Sequence, residues 1–335
     1  LAIAFAMAFV VVHDGGGHVV SPPHTVVKTS EPHTEARSPL RPGITAALER
    51  GVNEAGQLGG SVEAAVMLGP WKAPAVAATS RGDASRSMRM WSMSKVLTFV
   101  ALLREEGWGA KAGKPLTPEV SAALRAAITR SENCPERRVV LELEAVSGGS
   151  APAREAMSQV LHAAGASAEI SSESALPESS CDAYLEAQHE IQNPLGEGLL
   201  VGVSTWTVDD AVRFAHALAT DVYGRAVSRR VLGLMRVPKK RSRVVLASEY
   251  TPRLDWGAGH ALRDMNPAYK AGWGGTEQGE FMAGQIVVAD RPGGGRAALA
   301  VMFHPDVQPP IDDPGRTAAP HGLELVMESV AKELR

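Results

Sequence analysis

Ser92 and Lys95 stand three residues apart in Met90-Trp91-Ser92-Met93-Ser94-Lys95, at the head of an apolar run that continues through Leu103. In a helix, residues at that spacing lie one turn above each other on the same face. The sequence therefore sets a hydroxyl beside an amine. A serine hydroxyl attacks a carbonyl carbon poorly at neutral pH unless a base takes its proton, and a lysine is such a base when burial or a second cation favours its neutral form. The N-terminus of the helix would add N–H donors and positive potential where an oxyanion develops. Spacing alone does not single the pair out, because Ser329 and Lys332 share it in a run that reads as the solvated side of a C-terminal helix.

Two further groups can complete this chemistry. Ser131-Glu132-Asn133 falls in a turn between two helical patterns, and no other Ser-x-Asn occurs in the chain. A hydroxyl there can relay a proton and a carboxamide can orient lysine and substrate; the same residues also serve as ordinary helix caps. Lys270-Ala271-Gly272 lies on a predicted strand, where Lys270 can point into the same cleft and favour the neutral form of Lys95 by charge repulsion, and Gly272 allows close approach to the backbone. A second Lys-Ala-Gly at Lys111 sits in a polar loop with no strand around it.

The elements that must position these groups follow from hydrophobic periodicity. Ile44, Leu48 and Val52 mark a first helix, and two strands over Ser61–Leu68 and Ala73–Ala78 flank Gly69-Pro70-Trp71-Lys72 as a hairpin. Helices follow from Pro118, from about Glu136, over Pro152–Ala164, over Val208–Leu218 behind a Thr207/Asp210 capping box, and over Ala226–Met235. Strands over Ala268–Trp273, Phe281–Ala289 and Arg296–His304 and a helix over Leu323–Leu334 close the chain. Two strands before the helices and three after them predict an α+β fold: a five-stranded antiparallel sheet flanked by helices, with an all-helical region from the middle of the chain.

The chain has 335 residues, 44% of them hydrophobic and 21% charged, which suits an ordinary globular protein with a substantial core. A formal net charge of -3 argues against a nucleic-acid partner, and the short basic run Lys239–Arg243 reads as a solvated loop. Residues 1–20 read as an export signal or membrane anchor on the strength of the apolar stretch Leu1–Val12, and residues 21–42, rich in Pro, Ser and Thr, as a tether. Residues 43–335 then form the folded domain. The two cysteines, Cys134 and Cys181, suit one disulfide in an exported chain or a pair of buried thiols. The ten histidines, His162, His216 and His260 among them, lack ligand spacing, so neither a metal nor another cofactor is expected.

The order Ser92-x-x-Lys95, Ser131-x-Asn133, Lys270-x-Gly272 resembles the penicillin-recognising serine enzymes, the serine β-lactamases and D-Ala-D-Ala peptidases, class A β-lactamases most of all. The resemblance implies a β-lactamase/transpeptidase-like fold with its site between the sheet and the helical region. It makes Ser92 the acylated nucleophile, Lys95 its base partner and Ser131 the proton relay. Asn133 would position substrate, Lys270 would face its carboxylate, and the backbone N–H groups of Ser92 and Trp273 would form the oxyanion hole. Three departures stand out: Glu132 replaces the usual Asp, Ala271 replaces a Thr or Ser, and Glu173-Ser174-Ala175-Leu176-Pro177 has Pro where the family's Glu-x-x-Leu-Asn has its water-holding Asn. Glu173 is the candidate deacylating base, and Glu190 a poorer match. The expected protein is an exported, extracytoplasmic serine hydrolase acting on a β-lactam or related amide or ester. The alternatives are a D-Ala-D-Ala carboxypeptidase or esterase-like hydrolase, and a wall-binding module of impaired catalysis. Its partners would be a small-molecule or peptidoglycan-derived substrate and, through the N-terminal segment, cell wall or membrane; the domain is expected to be monomeric.

Overall fold

A computed structural model describes residues 38–39, 42–82, 87–171, 204–236, 257–275, 281–306 and 318–335. The expected leader, Glu173, Cys181, Glu190 and the basic run at 239–243 lie outside the described residues. In chain order the elements are β1 (Ser38–Pro39), α1 (Pro42–Gly56), β2 (Gly60–Leu68), β3 (Ala75–Arg81), β4 (Met88–Arg89), a 3-10 turn (Trp91–Met93), α2 (Ser94–Glu105), α3 (Pro118–Thr129), α4 (Asn133–Ser147) and α5 (Ser150–Ala163). They continue as β5 (Thr205–Trp206), α6 (Val208–Ala219), α7 (Arg225–Met235), α8 (Ala258–Ala261), a 3-10 turn (Arg263–Met265), β6 (Ala268–Gly275), β7 (Phe281–Asp290), β8 (Arg296–Pro305) and α9 (Ala318–Leu334).

The five long strands form one antiparallel sheet in the order β3-β2-β8-β7-β6, as the pattern predicts. The two-residue β1, at the end of the segment read as a tether, adds in parallel to the β3 edge. A second small ladder pairs β4 with β5. Neither short pairing is long enough to leave a period in the sequence. The last helix starts at Ala318 rather than Leu323, since Pro320 sits in its first turn, where a missing N–H costs no intrahelical bond.

Strand alternation sorts the core into two layers. Val62, Val66, Val287, Leu299 and Phe303 face α1 and α9, whereas Ala65, Met67, Ile286, Ala300 and Met302 join the cluster built with α2 to α7. Ser329 is buried between α1 and α9, its hydroxyl donating to the Ala47 carbonyl, rather than on a solvated face. Helix α2 is buried at every position from Ser94 to Leu103, its apolar residues packed among the surrounding helices and its Ser94, Lys95 and Thr98 side chains hydrogen-bonded. Thr207 and Asp210 form the expected capping box, and Asp210 also accepts from the Ser167 backbone N–H at 2.7 Å, tying the start of α6 to the chain beyond α5. Among the described residues no helix is long and apolar enough to cross a membrane.

Candidate active site

Ser92 lies within the 3-10 turn, two residues before the start of α2, not inside the regular helix, and its neighbour Trp91 has a positive φ of 45°. For a bulky residue that conformation is strained, and such strain persists only where the surroundings hold it. The edge strand β6 supplies that hold. A Cβ on Gly272 would stand 2.6 Å from the Met90 carbonyl oxygen, and one on Gly274 would stand 2.8 Å from atoms of the Trp91 indole. Only glycine lets the strand lie this close to the turn at Trp91–Met93. Arg89 covers the same indole with its guanidinium 5.6 Å from the ring centroid.

The Lys95 ammonium is the hub of the site. Its Nζ donates to Ser92 Oγ at 2.9 Å and to Asn133 Oδ1 at 2.7 Å, and it meets Glu136 Oε2 at 3.0 Å. Both charged side chains of the last pair are almost wholly buried, at 2% and 3% exposure. The Ser94 hydroxyl lies 2.6 Å from the Trp91 carbonyl oxygen and 3.1 Å from Glu136 Oε1, so it bridges the strained turn and the buried carboxylate. Asn133 and Glu136 both project from the first turn of α4, three residues apart, where an acid also suits the helix dipole.

Opposite Lys95, Lys270 Nζ donates to Ser131 Oγ at 2.8 Å and to its neighbour's carbonyl, Ala271 O, at 2.8 Å. Ser131 is a second non-glycine residue at positive φ, 61°, in the turn between α3 and α4. Alternation along β6 directs Lys270, Gly272 and Gly274 toward that turn and α2, while Tyr269, Ala271 and Trp273 belong to the cluster on the α1 and α9 side. Glu132 forms an ion pair with Arg130, Oε1 to Nε at 2.5 Å, and this hydrogen bond holds the guanidinium above its ordinary range.

The structure thus brings together Ser92, Lys95, Ser131, Asn133, Lys270 and Gly272. The side chain of Trp273 packs beside Phe281, with ring centroids 6.2 Å apart, so only its backbone belongs to the strand at the site. Cys134, directly after Asn133, is disulfide-bonded, and Cys181 is the only other cysteine of the chain. Glu136 is the residue the sequence reading passed over. Its signal was the three-residue step from Asn133 at a helix start, read there only as the beginning of an apolar pattern. Away from the site, His260 pairs through Nδ1 with Glu324 of α9.

No protein-family model matches the sequence, and no curated protein does. Solved structures do share the architecture. The transpeptidase domain of the FtsI4 D,D-transpeptidase from Legionella pneumophila is 15% identical, with 89% of this chain and 98% of that one covered and a TM-score of 0.53. A class A β-lactamase from Bacteroides cellulosilyticus is 13% identical over 86% of this chain and 99% of that one, with a TM-score of 0.53. A β-lactamase from Chitinophaga pinensis is 16% identical over 86% and 99%, with a TM-score of 0.54. The chain has the fold of the β-lactamases and D,D-transpeptidases.

Proposed function

We propose that this chain of β-lactamase/transpeptidase fold is an exported serine hydrolase that forms an acyl-enzyme at Ser92 with a β-lactam or a related amide or ester. One observation carries the reading: Lys95 Nζ is 2.9 Å from Ser92 Oγ and simultaneously bonded to Asn133 and Glu136. In acylation, Lys95 passes its surplus proton to the Glu136 carboxylate, and the amine so freed takes the Ser92 hydroxyl proton as Oγ attacks the carbonyl carbon. Ser131, whose oxygen accepts from Lys270, gives its proton to the leaving nitrogen or oxygen and regains one from Lys95, which hands on the proton taken from Ser92. Lys270 offers the substrate a positive charge beside the nucleophile. Water then attacks the acyl carbon as the Lys95 amine takes its proton and passes it to Ser92 Oγ, which leaves as the free hydroxyl, and Glu136 returns its proton to Lys95. Glu136 acts through Lys95 and is a positioning residue.

The disulfide at Cys134 supports an oxidising, extracytoplasmic setting. Pro177, standing where the related loop has its water-holding Asn, favours a second reading in which the natural substrate is a D-Ala-D-Ala peptide or an ester and β-lactam adducts are slow to leave. A small-molecule or peptidoglycan-derived substrate fits both readings.

Intact-protein mass spectrometry over time, with a penicillin and separately with a fluorophosphonate, tests the proposal on the chain and on Ser92→Ala. An adduct that forms and decays supports β-lactam turnover, and one that persists supports the peptidase or esterase reading. Failure of both probes to add to Ser92 would overturn the hydrolase assignment and leave a wall-binding module of the same fold.

A further inference from the structure

Helix α7 begins with Arg225 directly after its N-cap Gly224, and its first turn contains no acidic residue. The positive end of a helix favours an acid there and disfavours a cation. Arg229 lies one turn further along the same face, a like-charge spacing that weakens a helix, and Arg230 follows it. Together with Arg125 of α3 and Lys111 of the loop before α3, these side chains line a cavity of about 590 Å³ walled on one side by Trp108. Among the described residues none of the five cations has a carboxylate within ion-pairing distance. The lining shares no residue with the Ser92 site.

The walls are built rather than incidental. The Trp108 indole N–H donates to the Lys114 carbonyl at 2.9 Å, and the Ala226 N–H donates to the Gly109 carbonyl at 2.9 Å, fastening the loop to the start of α7. Gly224 approaches that loop so closely that a Cβ would fall 2.3 Å from the Gly109 carbonyl carbon. A cavity of this size holds a small ligand or a short stretch of polymer. Four of the five cations are arginines, whose forked donors match phosphate oxygens two at a time.

We infer that this cavity binds a ligand carrying two or more phosphate groups, either a free oligophosphate or a segment of a phosphodiester polymer. The ligand's negative charge supplies what the fold withholds from the α7 N-terminus. Titration calorimetry on the full chain at low ionic strength tests this with tripolyphosphate and with a glycerol-phosphate phosphodiester oligomer. Binding of at least one probe with a 1:1 ratio is expected, and the tighter of the two identifies the source. Arg225→Ala/Arg229→Ala is expected to weaken it about tenfold or more while leaving the thermal midpoint unchanged or higher, because a repulsion is removed. Arg50→Ala, at an exposed position of α1, is expected to leave binding as it was. Absence of binding by both probes, equal affinity in the double variant, or equal weakening by Arg50→Ala would overturn the inference.

Discussion

Lys95 and Glu136, from two different helices, meet as a nearly solvent-free ion pair, Nζ to Oε2 at 3.0 Å. Removing one partner strands the other charge in the interior, where an unpaired ion costs far more than the pair itself contributes. Glu136→Ala is expected to lower the unfolding free energy by about 3–5 kcal/mol, read from denaturant midpoints. Glu136→Gln keeps the shape, and is expected to slow acylation of Ser92 by about a hundredfold while perturbing stability less. An unchanged acylation rate in Glu136→Gln would remove Glu136 from the proton path.

Ser131 and Lys270 separate by the step they affect. Ser131→Ala is expected to slow acylation by about a hundredfold with little change in KM, since the proton relay is lost and the cation stays. Lys270→Ala is expected to raise KM for acyl donors bearing a carboxylate more than for neutral esters. Steady-state kinetics with a matched pair of anionic and neutral substrates makes the comparison, and an equal effect on both would exclude Lys270 as the carboxylate's partner.

Glycine at 272 and 274 is a steric requirement of the strand that lies against the nucleophile turn. Gly274→Ala drives a methyl into the Trp91 ring, and is expected to cost about 1–3 kcal/mol and to slow acylation by displacing Ser92. Gly233→Ala, on α7 where nothing lies within 4 Å of the added methyl, is the control and is expected to be neutral or stabilising.

His216 is buried, stacked on Trp71 with ring centroids 5.7 Å apart, and donates through Nε2 to the Gly69 carbonyl at 3.0 Å. Burial pushes its proton affinity below the ordinary value of 6.5; the bond to Gly69 partly offsets this, and Arg213 adds a smaller push downward. The unfolded chain therefore takes up the proton first as pH falls. The stabilising contribution of the neutral imidazole is full above pH 6.5 and is lost as pH drops from there toward the folded value. Urea midpoints at pH 7.5 and 5.5 are expected to differ less in His216→Gln than in the parent, and an unaltered difference would refute the assignment.

Long elements were legible in the sequence because burial marks them: Ile44, Leu48 and Val52 recur at helical spacing on α1, and β7 and β8, buried on both faces, are near-continuous apolar runs. The three candidate site groups were legible because each is short in sequence: two lie at the start of a helix and the third on a strand. Glu136 was not, because its meaning depends on a lysine on another helix, and at its own position it looked like the opening of α4. The 3-10 turn at Trp91–Met93 was hidden as well, since it packs against two glycines on a strand far along the chain. The short β1 and the β4–β5 ladder had too few residues for alternation to register.

The central strand β2 has β3 on one side and β8 on the other, with Gly60 opposite Pro305 and Met67 opposite Ala298. A chain being made or threaded from its N-terminus thus exposes Ser92 and Lys95 long before the segment that carries Lys270 exists to meet Ser131. The sheet closes only across nearly the whole length of the polypeptide, a loop closure that makes folding slow and late. Assembly of the last strands is in this sense a timer: Ser131 gains its hydrogen bond from Lys270 only once the strand that carries Lys270 has been made and has joined the sheet.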